Sequence, residues 1–187
     1  MLIWQQHLRN GASELMTLSR AAVALSMATA CAFFTPAANA ADWTLRFDGI
    51  GPLKVGMTFD QAKASLRQRL ERTPEDLRPN DHCDEIEVPG HAETALMFID
   101  DKLARVDVWH VGARLHGGVV IGGAERSLMR AYAKASKSPG FYDDSQTEWT
   151  LPSADGRMAI RVTTENGAII AAIAGEAKAV AYVEGCL

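Results

Sequence analysis

Met158-Ala-Ile-Arg-Val-Thr163, then Glu165-Asn-Gly167, then Ala168-Ile-Ile-Ala-Ala-Ile173 is the stretch that decides the fold. Ile160 and Val162 alternate with Arg161 and Thr163, the period-two pattern of a strand with one apolar face. Asn-Gly between two such runs is the strongest short hairpin signal, because both turn residues must adopt positive φ. Working outward, Glu148 to Leu151 is a further strand, stopped by Pro152. Before it, Gly117-Gly-Val-Val-Ile-Gly122 leads into a helix over Ala124 to Lys134, with Leu128, Ala131 and Tyr132 on one face. Ser138-Pro139-Gly140 breaks that run.

The same order occurs earlier in the chain. Gly49-Ile-Gly-Pro-Leu-Lys-Val-Gly-Met57 leads into a helix whose Phe59, Ala62, Leu66 and Leu70 recur at three- and four-residue steps. Thr58 followed by Gln61 has the spacing of a capping box, and Asp60 suits the helix dipole. The helix is expected to run to about Leu70, with Pro74 beyond it. Cys83 to Val88 alternates, with Asp84, Ile86 and Val88 opposite Cys83, Glu85 and Glu87, and Pro89-Gly90 stops it. Thr94 to Ile99 is β-like, Asp100-Asp101-Lys102 turns, and Leu103 to Trp109 returns. The offset between the halves is 66 residues at Val55-Gly56 against Ile121-Gly122, and 63 at Val88-Pro89 against Leu151-Pro152. The expected fold class is therefore α+β. Two tandem helix-plus-three-stranded-meander repeats, about 45–110 and 111–175, form an antiparallel sheet with helices on one face and a tail over 176–187.

The first forty residues read differently. Arg20 precedes the uncharged run Ala21 to Phe34, and Thr35-Pro36 and Ala38-Asn39-Ala40 follow. A basic start, a short apolar stretch and a small-x-small site make a secretory signal peptide, cleaved near Ala40/Ala41. The apolar run is too short for a bilayer-spanning helix. Met16 begins a leader of more ordinary length, so translation starts at Met1 or Met16. Residues 41–187 then form a single domain destined for the periplasm or the exterior, with no transmembrane segment. Removing Arg9, Arg20 and Glu14 with the leader takes the net charge of the chain from −4 to −5. Mild acidity gives no bulk-charge signature of nucleic-acid binding.

Three cysteines become two on cleavage, Cys83 and Cys186. In an oxidising compartment an even count without CxxC spacing reads as a structural disulfide, and only one pairing exists. It fastens Tyr182-Val-Glu-Gly-Cys186 onto the first half of the domain.

Chemical motifs are sparse. His82, His91, His110 and His116 have no HxH or HxxxH spacing, so no metal site is expected. Ser65, Ser127 and Ser136 lie outside any GxSxG elbow, and no catalytic residue is assigned. The glycines at Gly49-Ile-Gly51 and Gly122-Gly123 form no nucleotide fingerprint. Asp81, Asp84, Glu85 and Glu87 lack EF-hand spacing. No cofactor is expected. The useful signal lies on the strands: if the helices cover Ala104, Val106 and Val108, the open face carries Arg105, Asp107 and Trp109, with Arg161 and Thr163 comparable on the second unit. Trp and Arg on an open sheet face are what protein interfaces favour. The alternative is a face covered by loops or tied by cross-strand ion pairs.

Val55-Gly56-Met57-Thr58 followed by an amphipathic helix resembles the Gly-Met-Thr signature of exported bacterial domains of the outer-membrane-assembly lipoprotein type (SmpA/OmlA). The tandem arrangement, with a cysteine in the strand after the helix, resembles the β-lactamase inhibitory protein family. The chain departs from the former in lacking a lipidated cysteine, and from the latter in having one disulfide across the chain. Both resemblances imply a non-enzymatic protein-binding or inhibitor-like module without naming its partner, which is expected to be another envelope or secreted protein. An envelope-assembly accessory protein, or a small hydrolase or ligand-binding enzyme, is the alternative. Intact mass of the protein recovered from the periplasm should correspond to a chain starting at Ala41. A lipid-modified chain starting at Cys31 would contradict the leader reading.

Overall fold

The computed structural model describes residues 42–66 and 68–186, so the leader lies outside the described residues. Within them the fold is α+β, mostly strands with a few short helices. A small mixed sheet holds β1 (Thr44–Arg46), β2 (Gly49–Ile50), β3 (Leu53–Lys54) and β7 (Arg114–Leu115). The larger sheet has seven antiparallel strands: β4 (Cys83–Glu87), β5 (Thr94–Ile99), β6 (Lys102–Val108), β8 (Ser136–Pro139), β9 (Gln146–Pro152), β10 (Met158–Glu165) and β11 (Ala168–Glu176). Its order is β4-β5-β6-β11-β10-β9-β8, so β6 and β11 meet at the centre.

One face of this sheet carries the core. Leu96, Phe98, Val106, Ile160 and Val162 pack there against Phe59, Ala62 and Leu66 of α1 (Phe59–Leu66) and Leu128 of α2 (Arg126–Ala131). The Phe59 and Phe98 rings meet edge to face at 5.7 Å. Both helices are shorter than their apolar periodicity predicts; Leu70 lies beyond α1 yet is fully buried. The capping box is present in both directions: Thr58 N–H donates to Gln61 Oε1 at 2.9 Å and Gln61 N–H to Thr58 Oγ1 at 3.2 Å.

The glycine loops before the helices have a structural task. Gly56 N–H donates to Leu103 O and Leu103 N–H to Met57 O, so this loop pairs with the start of β6. Likewise Gly122 N–H donates to Ile169 O and Ile169 N–H to Gly123 O, pairing the second loop with the start of β11. Each hairpin turns through two positive-φ residues, Asp100-Asp101 and Asn166-Gly167. Each also carries a register shift, at Met97/Phe98 and at Thr163/Thr164.

Three features differ from the sequence reading. Ser138-Pro139, read there with Gly140 as a break, belongs to the edge strand β8 (Ser136–Pro139), whose four side chains are exposed. Polar residues leave little apolar pattern, and pairing with β9 rather than propensity makes it a strand. The small sheet has strands of two or three residues, too short to register as alternation. Helices are not confined to one face, because α3 (Ala177–Val180) lies on the other side, against β6, β10 and β11.

The central seam tolerates no added side chain at Gly175. A Cβ there would stand 2.2 Å from Ala104 O and 2.8 Å from Arg105 Cα. Gly175→Ala should therefore cost about 3 kcal/mol in urea unfolding by forcing β6 and β11 apart. Thr58→Ala, which removes one cap, should cost about 1 kcal/mol.

Candidate binding face

Side chains on the face away from α1 and α2 follow from strand alternation and register. Across the sheet they run Glu85, Met97, Arg105 and Gly175 in one row, and Glu87, Ala95, Asp107, Ile173, Arg161 and Thr150 in the next. Thr163 and Glu148 pair beyond them. This is the face on which the sequence gathers Arg105, Asp107, Arg161 and Thr163.

The face is not open throughout, which corrects the expectation for Arg105 and Asp107. Arg105 is 2% exposed. Its guanidinium forks onto Asp107, with Nε and Nη2 each 2.7 Å from a carboxylate oxygen. Its Nη1 donates to the carbonyls of Ala179 and Tyr182 at 3.2 and 3.0 Å. The chain after β11 thus forms α3 and crosses the face as a strap to Cys186. The Cys83–Cys186 disulfide, with Cα atoms 5.4 Å apart, ties its end to β4, as the cysteine count predicts. Asn80 Nδ2 donates to Cys186 O at 3.0 Å, and the Cys186 N–H faces the Glu85 carboxylate. Met97, on this same face, is buried beneath the strap.

Beyond the strap the face stays accessible. A cleft of about 590 Å³ has Glu148, Arg161 and Thr163 in its floor and is lined also by Val180 and Val183 of the strap region and by Phe141 and Tyr142. Thr163 Oγ1 donates to Glu148 at 3.0 Å, Arg161 Nε lies 3.9 Å from the same carboxylate, and Arg161 Nη2 donates to Tyr182 O at 3.2 Å. Phe141 and Tyr142 are 69% and 68% exposed. The Tyr142 hydroxyl donates to Glu184 at 2.6 Å, which raises the phenol above its ordinary range.

The five residues picked from the sequence therefore separate. Arg105 and Asp107 lie under the strap, and Arg161 and Thr163 line the cleft. Trp109 is 40% exposed beyond the end of β6, outside the cleft lining. Sequence reasoning missed Glu148, Phe141 and Tyr142. An aromatic pair between strand-breaking residues, Gly140 and Asp143-Asp144, was the available signal. Among the described residues no three His, Cys, Asp or Glu side chains are grouped to hold a metal, and no helix is long and apolar enough to cross a membrane.

No family match exists. Neither the protein-family profiles, the curated proteins nor the solved structures give a significant match to this chain. The reading of the face thus rests on its own geometry.

Burial sets the electrostatics under the strap. Desolvation raises the Asp107 carboxyl above its ordinary range despite the Arg105 fork. Desolvation and then the Asp107 charge raise Glu85, outweighing Arg105, whose Nη2 is 3.9 Å away. A carboxylate whose pKa is raised in the folded state binds more protons folded than unfolded. It therefore adds stability as pH falls through that raised value toward the ordinary one. Glu85→Gln removes one such group. The variant should melt at or above the parent temperature near pH 7, and its advantage should shrink on acidification to about pH 4. A difference that grows on acidification would contradict this.

Proposed function

We propose that this chain is an exported, non-enzymatic protein-binding module, inhibitor-like in mode, that engages an envelope or secreted protein through the cleft beside the strap. The observation that carries this reading is the pair of exposed aromatic rings, Phe141 and Tyr142, standing over a floor that contains Arg161. Large rings and arginine around a desolvatable cleft are the composition of interface hot spots. The floor pairs its one arginine with one glutamate and brings no histidine to them, which favours recognition over acid–base chemistry. The disulfide supports an oxidising destination, in keeping with the leader.

The scaffold of this module is, in our reading, a duplication of one helix-plus-meander unit. Its support is a single offset of 66 residues that relates otherwise independent contacts. Gly56, Met57 and Leu103 correspond to Gly122, Gly123 and Ile169 in their hydrogen bonds. The bridge Thr58–Lys102 corresponds to Ala124–Ala168. Asp100-Asp101 corresponds to Asn166-Gly167, and the register shift at Met97/Phe98 to that at Thr163/Thr164. At the seam, Val106 pairs with Ala174 and Val108 with Ala172, so the offset exchanges the two pairs. Asp107 faces its own counterpart, Ile173, on the local twofold axis. Two such units in one broad sheet are what the resemblance to the β-lactamase inhibitory protein family implies.

Immobilised protein should retain a specific partner from a periplasmic or secreted fraction. Phe141→Ala with Tyr142→Ala and Arg161→Ala should weaken that complex about thirtyfold or more, and Trp109→Ala should leave it within about twofold. Equal retention by the triple variant would refute the cleft as the site.

A further inference from the structure

The internal twofold has a consequence for what the cleft holds. Glu85 pairs with Met97 as Glu148 pairs with Thr163, and Met97 pairs with Arg105 as Thr163 pairs with Ala171. The cleft floor at Glu148 and Thr163 is therefore the counterpart, in the second unit, of the floor at Glu85 and Met97 in the first. The first seat is filled. Residues 182–186 of the strap cross it in non-helical conformation, the Cys186 N–H faces the Glu85 carboxylate, and Gly185 lies so close that a Cβ there would meet Glu85 Oε2 at 2.5 Å. Arginines read the strap through its main chain: Arg105 donates to the carbonyls of Ala179 and Tyr182, and Arg161 to that of Tyr182. One chain segment thus displays the chemistry that this kind of seat recognises, a carboxylate for a backbone N–H and guanidinium groups for backbone carbonyls.

We infer that the open cleft takes a short linear peptide segment of the partner, lying beside the strap as the strap lies over Glu85, with one backbone N–H donating to Glu148 and one backbone carbonyl accepting from Arg161. This rests on the protein-binding reading above and specifies its ligand. Glu148 has the capacity: its carboxylate accepts from Thr163 Oγ1 and keeps lone pairs for a further donor. Arg161 has it too, since one guanidinium nitrogen serves Tyr182 and the Glu148 contact is long, at 3.9 Å. The second seat differs from the first in floor chemistry. Arg161 corresponds to Ala95, Thr163 to Met97 and Ala171 to Arg105, so the guanidinium of the second seat stands in the neighbouring row, where it meets a ligand's main chain. The rings of Phe141 and Tyr142 stand over the cleft beside the strap, Tyr142 joined to Glu184, and there an apolar ligand side chain finds cover.

The probe is a display library of random linear dodecapeptides, selected on the purified oxidised protein beside a library of disulfide-closed peptides. Linear peptides should be enriched. In a synthetic version of a selected peptide, N-methylation at one particular amide should lower affinity at least about tenfold while most other amides tolerate it. Glu148→Ala should weaken binding about tenfold, and Glu85→Ala, beneath the strap, should leave it within about twofold. The methylation series uses the unaltered protein, so its outcome does not depend on any variant folding. Absence of linear binders, or linear binders indifferent both to N-methylation and to Glu148→Ala, would overturn the inference. If the natural partner is still lost from the Phe141, Tyr142 and Arg161 variant in that case, the protein-binding reading stands and only the linear-peptide class fails.

Discussion

A guanidinium with almost no access to water organises one whole side of this molecule. Arg105 sits on the outer face of β6, next to the central seam, and satisfies its donors with both oxygens of Asp107 and two carbonyls of the C-terminal chain. Burying a charge is costly unless geometry and hydrogen bonds are close to complete, and here the carboxylate fork and main-chain acceptors supply both. The price falls on Asp107, whose ionised form is disfavoured by the same burial. The net effect is specificity: only a chain passing with carbonyls at those positions satisfies the arginine. The disulfide then fixes the far end over β4 and closes a loop of about a hundred residues, worth up to about 4–5 kcal/mol in the chain-entropy picture.

Much of the architecture was legible because local signals and tertiary needs agree. Thr58 and Gln61 read as a capping box and form one, Asn166-Gly167 reads as a hairpin turn and adopts the required positive φ, and two cysteines admit one pairing. Alternation along β4 put Asp84, Ile86 and Val88 together, and all three are buried. Even Asp84 follows the pattern, flanked by Arg72 and Arg78 at 3.6 and 3.7 Å. The candidate face was half legible for the same reason. Strand parity names the residues that share it, but parity says nothing about what lies on top.

What escaped had no local signature. Ala177-Lys-Ala-Val180 is too short to show helical periodicity, and its place over the sheet follows from Arg105, seventy-odd residues earlier. The strand Ser136–Pro139 is polar and exists through its neighbour. Phe141 and Tyr142 gain meaning only once a hairpin carries them over Arg161 and Glu148. A single feature links these omissions: the chain after β11 lies over Arg105 and leaves Glu148, Arg161 and Thr163 lining the cleft, so the two ends of the face differ in access.

Arg105, with Asp107, holds the strap across the sheet. Amide hydrogen exchange at Tyr182 and Cys186 in the oxidised Arg105→Met, Asp107→Leu double variant isolates that role, because the variant removes both buried charges and so leaves neither uncompensated. Exchange at these two amides is expected to be at least about tenfold faster than in the parent, with the β6–β11 amides unchanged. Parental exchange rates at Tyr182 and Cys186 in that variant would show that the pair does not hold the strap.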